Sequence, residues 1–70
     1  MNRFAVILPQ RYSDLAHEVV TENLDAIVDD ILDEWGTSTI VLSSDLPQAE
    51  LVSRMQDYLP REEMLVFPIC

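Results

Sequence analysis

A single glycine and four prolines punctuate this chain of 70 residues, and they restrict where its elements can begin and end. Pro9, Gly36, Pro47 and Pro60 fall between segments with a regular apolar pattern or at their starts, and divide the chain into five elements. Arg3 to Leu8 (RFAVIL) is a short apolar run with a β-branched pair, and reads as a buried strand. Ser13 offers an N-cap to a long helix, Asp14 to Trp35, whose apolar face would hold Ala16, Val20, Leu24, Ile27, Val28, Ile31 and Trp35. Gly36 would stop that helix. Ser38 to Ser43 (STIVLS) reads as a second strand, and Asp45 with Gln48 has the form of a capping box opening a second helix. In that helix Leu51, Val52, Met55, Tyr58 and Leu59 repeat at helical spacing, and Pro60 ends it. Met64 to Ile69 (MLVFPI) is the last strand, with Pro68 best placed on a sheet edge.

The expectation is one acidic domain, residues 1–70, of the α/β (α+β) class. Its β-α-β-α-β order suggests a three-stranded sheet with two helices on one face, and right-handed crossovers would make neighbouring strands parallel.

Charge narrows the function. Thirteen acidic residues against four Arg give a net charge of −9, and the chain contains no Lys. Phosphate binding needs clustered cations, so direct contact with nucleic acid is not expected; a basic protein is the natural partner. On the long helix Asp14, Glu18, Glu22, Asp25, Asp29 and Asp33 follow each other at steps of four, four, three, four and four, a row along one helical stripe. Such a row would extend roughly 28 Å, long enough to lie along a binding groove. Asp30 and Glu34 add charge on its flank. Like charges at this spacing destabilise a helix by roughly 0.2–0.5 kcal/mol per pair, so the row reads either as a surface for a basic partner or as a solvated face that keeps the protein dispersed.

Catalytic motifs are absent. Asp29-Asp30-Ile31-Leu32-Asp33 spells DDxxD, a magnesium motif of prenyl-diphosphate synthases, but two helices cannot build the large cavity such chemistry needs. His17 falls toward the apolar side of the helix, there is no G-x-S-x-G elbow, and one glycine makes no phosphate loop. No enzyme activity, metal or cofactor is expected. Trp35 should close the apolar face. If exposed instead, it would sit beside Asp33 and Glu34 as an anchor for an Arg-rich interface, with Tyr12 in the same role at the other end. Cys70, the lone cysteine, reads as an exposed bystander, and its isolation fits a reducing, cytoplasmic setting. The start MNRFAVILPQ is too short an apolar run for a signal peptide or a membrane span.

The second half, TIVLSSDLPQAELVSRMQDYLPREEMLVFPI, resembles the tail of ferredoxin-like proteins of the CRISPR-adaptation and VapD nuclease group: strand, short D-L turn, helix, apolar strand. In those families an Asp ends the first strand, whereas this chain has Ile7-Leu8-Pro9-Gln10 there, so nuclease activity is not implied. The long helix to Trp35 would also leave no room for the hairpin strand that such folds place after the first helix. In size and acidity the chain is similar to phage anti-defence inhibitors, the anti-CRISPR and DNA-mimic proteins. That similarity implies an inhibitor of a basic nucleic-acid-binding protein, such as a CRISPR effector subunit, but transfers no residue; the spacing of the acidic row picks out Asp14, Glu18, Glu22, Asp25, Asp29 and Asp33, with Asp30 and Glu34 supporting, as the partner-binding carboxylates. The alternative is a ferredoxin-like homodimer with a structural or assembly role, buried along the Met64 to Ile69 edge, whose acidic face is only solubilising.

Overall fold

The computed structural model describes residues 2–24 and 26–69, so the expectations for Asp25 and Cys70 lie outside the described residues. Strand β1 (Asn2–Pro9) leads through a 3₁₀ turn (Gln10–Tyr12) into helix α1 (Ser13–Asn23). Strands β2 (Ile27–Glu34) and β3 (Thr37–Ser44) form a hairpin. Helix α2 (Gln48–Gln56), a 3₁₀ turn (Arg61–Glu63) and strand β4 (Leu65–Pro68) complete the chain. The sheet has four strands in the order β2-β3-β1-β4, and every neighbouring pair is antiparallel. This β-α-β-β-α-β order is the split β-α-β arrangement.

The α+β class and the placing of the helices on one sheet face stand, but three features are corrected. The sheet has four strands rather than three. Its neighbours are antiparallel because each crossover skips a strand: β1 and β2 flank β3, and β3 and β4 flank β1. The long helix is half its expected length, since α1 ends at Asn23 and residues 27–34 form the hairpin strand that seemed to have no room.

Alternation sets the two faces of the sheet. Phe4, Val6 and Leu8 on β1 and Ser38, Ile40, Leu42 and Ser44 on β3 are buried. They meet Ala16, Val20 and Leu24 from α1 and Leu51 and Met55 from α2, with Leu59 and Met64 closing the core. Val28, Leu46 and Val66 pack on its margin. The opposite face, carrying Ala5, Ile7, Val41, Leu65 and Phe67, is covered by neither helix.

The helix ends differ from the capping expected. Ser13 is the first residue of α1 and Tyr12 takes the N-cap position with no side-chain bond to the helix. Pro47 holds the corresponding place before α2, so the Asp45–Gln48 capping box does not open it. Proline suits that position because the helix leaves its first N–H groups unbonded in any case. Pro68 lies on an edge strand as expected, where its missing N–H costs no ladder bond.

Candidate functional site

Strand β2 is the long edge of the sheet, eight residues with almost no buried side chain. Its register on β3 shifts between Val28 and Asp30, which is a β-bulge with Asp29 as the extra residue. The bulge puts Asp29 on the open side of the sheet, where Ser43 Oγ donates to its carboxylate at 2.6 Å and Arg3 Nε lies 3.5 Å away. Asp30 accepts the Ile31 N–H at 2.9 Å. Beyond the bulge Asp33 faces the helix side, where the buried Ser38 hydroxyl donates to it and also bonds Ser13 Oγ at 3.0 Å. Charged residues along an exposed edge also discourage pairing with a foreign strand.

The single acidic row is therefore not formed. Asp14, Glu18 and Glu22 remain a row on the exposed face of α1, but Asp29, Asp30, Asp33 and Glu34 belong to β2. α1 contacts β2 and runs back antiparallel to it, so the line is folded in two. The Ser13–Ser38–Asp33 bonds bring Asp14 and Asp33, the ends of the expected row, to the same end of the molecule. Asp29 and Asp33 of the DDxxD motif are held on opposite sides of the sheet, by Arg3 and Ser43 on one and Ser38 on the other, so they do not converge on one ion. Among the described residues no cluster of three or more His, Cys, Asp or Glu is set to hold a metal.

The hairpin tip is the feature that sequence reasoning misplaced most. Trp35, expected in the core, is 93% exposed. Gly36, expected to stop a helix, is the second residue of a tight turn, with φ +75° after Trp35 at φ +56°. Two positive φ values between paired Glu34 and Thr37 are those of a type I′ turn, whose twist matches a hairpin and which favours Asn-Gly. A bulky aromatic residue is uncommon in this region. The tip is tied down, because Gln10 N–H donates to the Gly36 carbonyl at 2.8 Å.

Around the same end, Arg11 lies over the Tyr12 ring, 4.8 Å from its centroid, and pairs with Glu63 at 2.7 Å. Its guanidinium is held above its ordinary pKa first by hydrogen bonding to Tyr12 and then by Glu63. Tyr12 is half-buried against the core and is no free anchor. His17, expected to lean into the apolar side, is exposed. The helix row instead buries Val19 and Val20 beside Ala16. A shallow, open depression beside α2, lined by Gln48, Ala49, Val52, Ser53, Gln56 and Arg61, brings together no acid–base pair.

No family model, curated protein or solved structure matches the chain.

Proposed function

We propose that this chain is a non-enzymatic acidic binding protein that inhibits or regulates a basic, nucleic-acid-handling protein, such as a CRISPR effector subunit, by occupying its phosphate-binding groove. The observation that carries this reading is Trp35: fully presented at the tip of an acidic hairpin, in a backbone conformation that L-residues adopt at a cost, with no burial in the domain to repay it. Buried tryptophan is a frequent anchor of protein interfaces, and its ring face attracts Arg and Lys. Glu34 flanks it, and Asp14, Glu18 and Glu22 line the neighbouring helix. In this arrangement the carboxylates accelerate encounter and make it salt-sensitive, while the tryptophan sets the residence time. Asp29 and Asp33 contribute less, because Arg3 and Ser38 already engage them.

Capture from a bacterial lysate supplied with CRISPR effector complexes tests this, with rising-salt elution and three baits: the native chain, Trp35→Ser, and a triple Asp14→Asn, Glu18→Gln, Glu34→Gln variant. The native chain should retain a basic nucleic-acid-binding protein that both variants release at lower salt. Identical retention by all three baits would refute the proposal.

A further inference from the structure

The helix-free side of the sheet carries five large apolar side chains at 43% to 57% exposure: Ile27, Leu32, Leu65, Phe67 and Ile69. Ala5, Ile7 and Val41 lie half-buried between them. The strand register orders the face into levels. Leu32 pairs with Thr39, Thr39 with Ile7 and Ile7 with Leu65; above them Asp30 pairs with Val41, Val41 with Ala5 and Ala5 with Phe67. At the far end Ile27 pairs with Ser43 and Ser43 with Arg3, whose carbonyl accepts the Ile69 N–H at 2.8 Å.

We infer that this face is where a second copy of the chain docks, sheet against sheet. Charge selects the occupant. The chain carries −9, so two copies repel unless they meet where net charge is lowest. On the open face Arg3 is matched by Asp29, and the remaining acids, Asp30 and Glu34, lie on the β2 edge. A basic protein is drawn instead to α1 and the hairpin tip, and an anionic lipid surface is repelled.

The pattern is also self-complementary. A two-fold axis running along the strands lays β2 of one copy over β4 of the other and β3 over β1. Leu32 then faces Leu65, Ile27 faces Ile69, and Asp30 lies over Phe67 rather than over another carboxylate. An axis across the strands would instead stack the two acidic β2 edges. Three strands of eight residues and one of four offer about 450 Å² of sheet plane. Two copies therefore bury about 900 Å², close to the lower limit for a specific interface, so the dimer is weak and concentration-dependent. It leaves Trp35 and the α1 carboxylates free, and it differs from the edge-to-edge dimer along Met64 to Ile69, whose strand is only four residues long and ends in Pro68.

Sedimentation equilibrium of the full chain over roughly 1 µM to 1 mM tests this, the range in which an interface of this size dissociates. The expected result is a monomer–dimer equilibrium that tightens with added salt as repulsion is screened, the opposite of the salt response of carboxylate-driven binding. Leu32→Ser and Phe67→Ser should each weaken dimerisation about tenfold or more, while Trp35→Ser should leave it unchanged. Circular dichroism melts identify any variant that fails to fold, and isotope-filtered NMR of the native chain should show Leu32–Leu65 contacts between copies. A monomer throughout the range, a dimer unaffected by both folded serine variants, or absence of those contacts in the dimer would overturn the inference.

Discussion

Replacing Trp35 with Asn should stabilise the isolated domain. The residue sits at φ +56°, ahead of Gly36 at φ +75°. Left-handed backbone costs an ordinary L-residue roughly 1–2 kcal/mol, a penalty that Asn reduces by hydrogen bonding locally, and Asn-Gly is the preferred pair for a type I′ turn. Little opposes the gain, because at 93% exposure the indole contributes almost no burial to the fold. A net stabilisation of about 1 kcal/mol corresponds to a rise in Tm of roughly 4–8 °C for a domain of this size. Thermal melts and urea titrations on dilute protein, where copies do not associate, measure it directly; the urea slope should stay constant while the midpoint rises. The same variant should lose partner capture, the exchange of stability for function expected of a strained binding residue. An unchanged or lowered Tm would refute the reasoning, because it would mean that the indole packs against the domain.

Leu42→Ala, in the middle of β3 and fully buried, should cost about 2–5 kcal/mol in urea unfolding, most of the stability of a small domain. Ser38→Ala should cost about 1 kcal/mol in the same assay, since it removes the hydroxyl linking Ser13 and Asp33. Arg11→Ala should leave the urea midpoint almost unchanged, because the Glu63 pair is exposed and screened by solvent. The raised Arg11 pKa makes its contribution complete below the ordinary arginine value and lost only above it, so melts of native chain and variant should keep a constant gap from roughly pH 6 to 9. Deleting Asp29 should leave the domain folded with only a modest loss of Tm, because it removes the extra residue, keeps Ile31 opposite Ile40 and Asp33 opposite Ser38, and loses only the Ser43 and Arg3 contacts. Loss of cooperative unfolding in the deletion variant would show that Asp29 is not the extra residue of the bulge.

The central strands were legible because they are buried on one face. RFAVIL and STIVLS each combine β-branched residues with clear boundaries, and they became β1 and β3. β2 was not legible for a physical reason. Ile27-Val28-Asp29-Asp30-Ile31-Leu32-Asp33-Glu34 repeats two apolar and two acidic residues, which matches helical spacing as well as α1 does. An edge strand with little burial has no need of strict alternation; the pleat splits each apolar pair between the faces, and the bulge turns Ile31 rather than Leu32 inward, on the side of Val28. No Gly or Pro marks the end of α1 at Asn23 either. The missed signal was Trp35-Gly36 between two β-branched runs, a hairpin tip that read as a helix stop because tryptophan seldom occupies its first position. For the candidate site, charge spacing placed Asp14, Glu18 and Glu22 together on the exposed face of α1, where the structure has them, but put Asp29, Asp30, Asp33 and Glu34 on a helix rather than on β2. The conditional reading of Trp35 as an exposed neighbour of Asp33 and Glu34 matches its place in the fold.

One residue of insertion accounts for how the surface is divided. Were β2 regular, Asp29 would oppose Val41 and each later residue would change sides. Leu32 would turn toward the helices and Asp33 toward the open face, placing a carboxylate in the middle of the apolar levels. With the bulge, Asp29 is compensated by Arg3 and Ser43, Asp33 is held by Ser38, and Leu32 joins Ile7 and Leu65 outside. The bulge thereby keeps Asp33 off the open face and leaves Leu32, Ile7 and Leu65 on one level across it. The two proposed surfaces are distinct, so a copy bound on the sheet and a basic partner bound at Trp35 would not compete for the same residues.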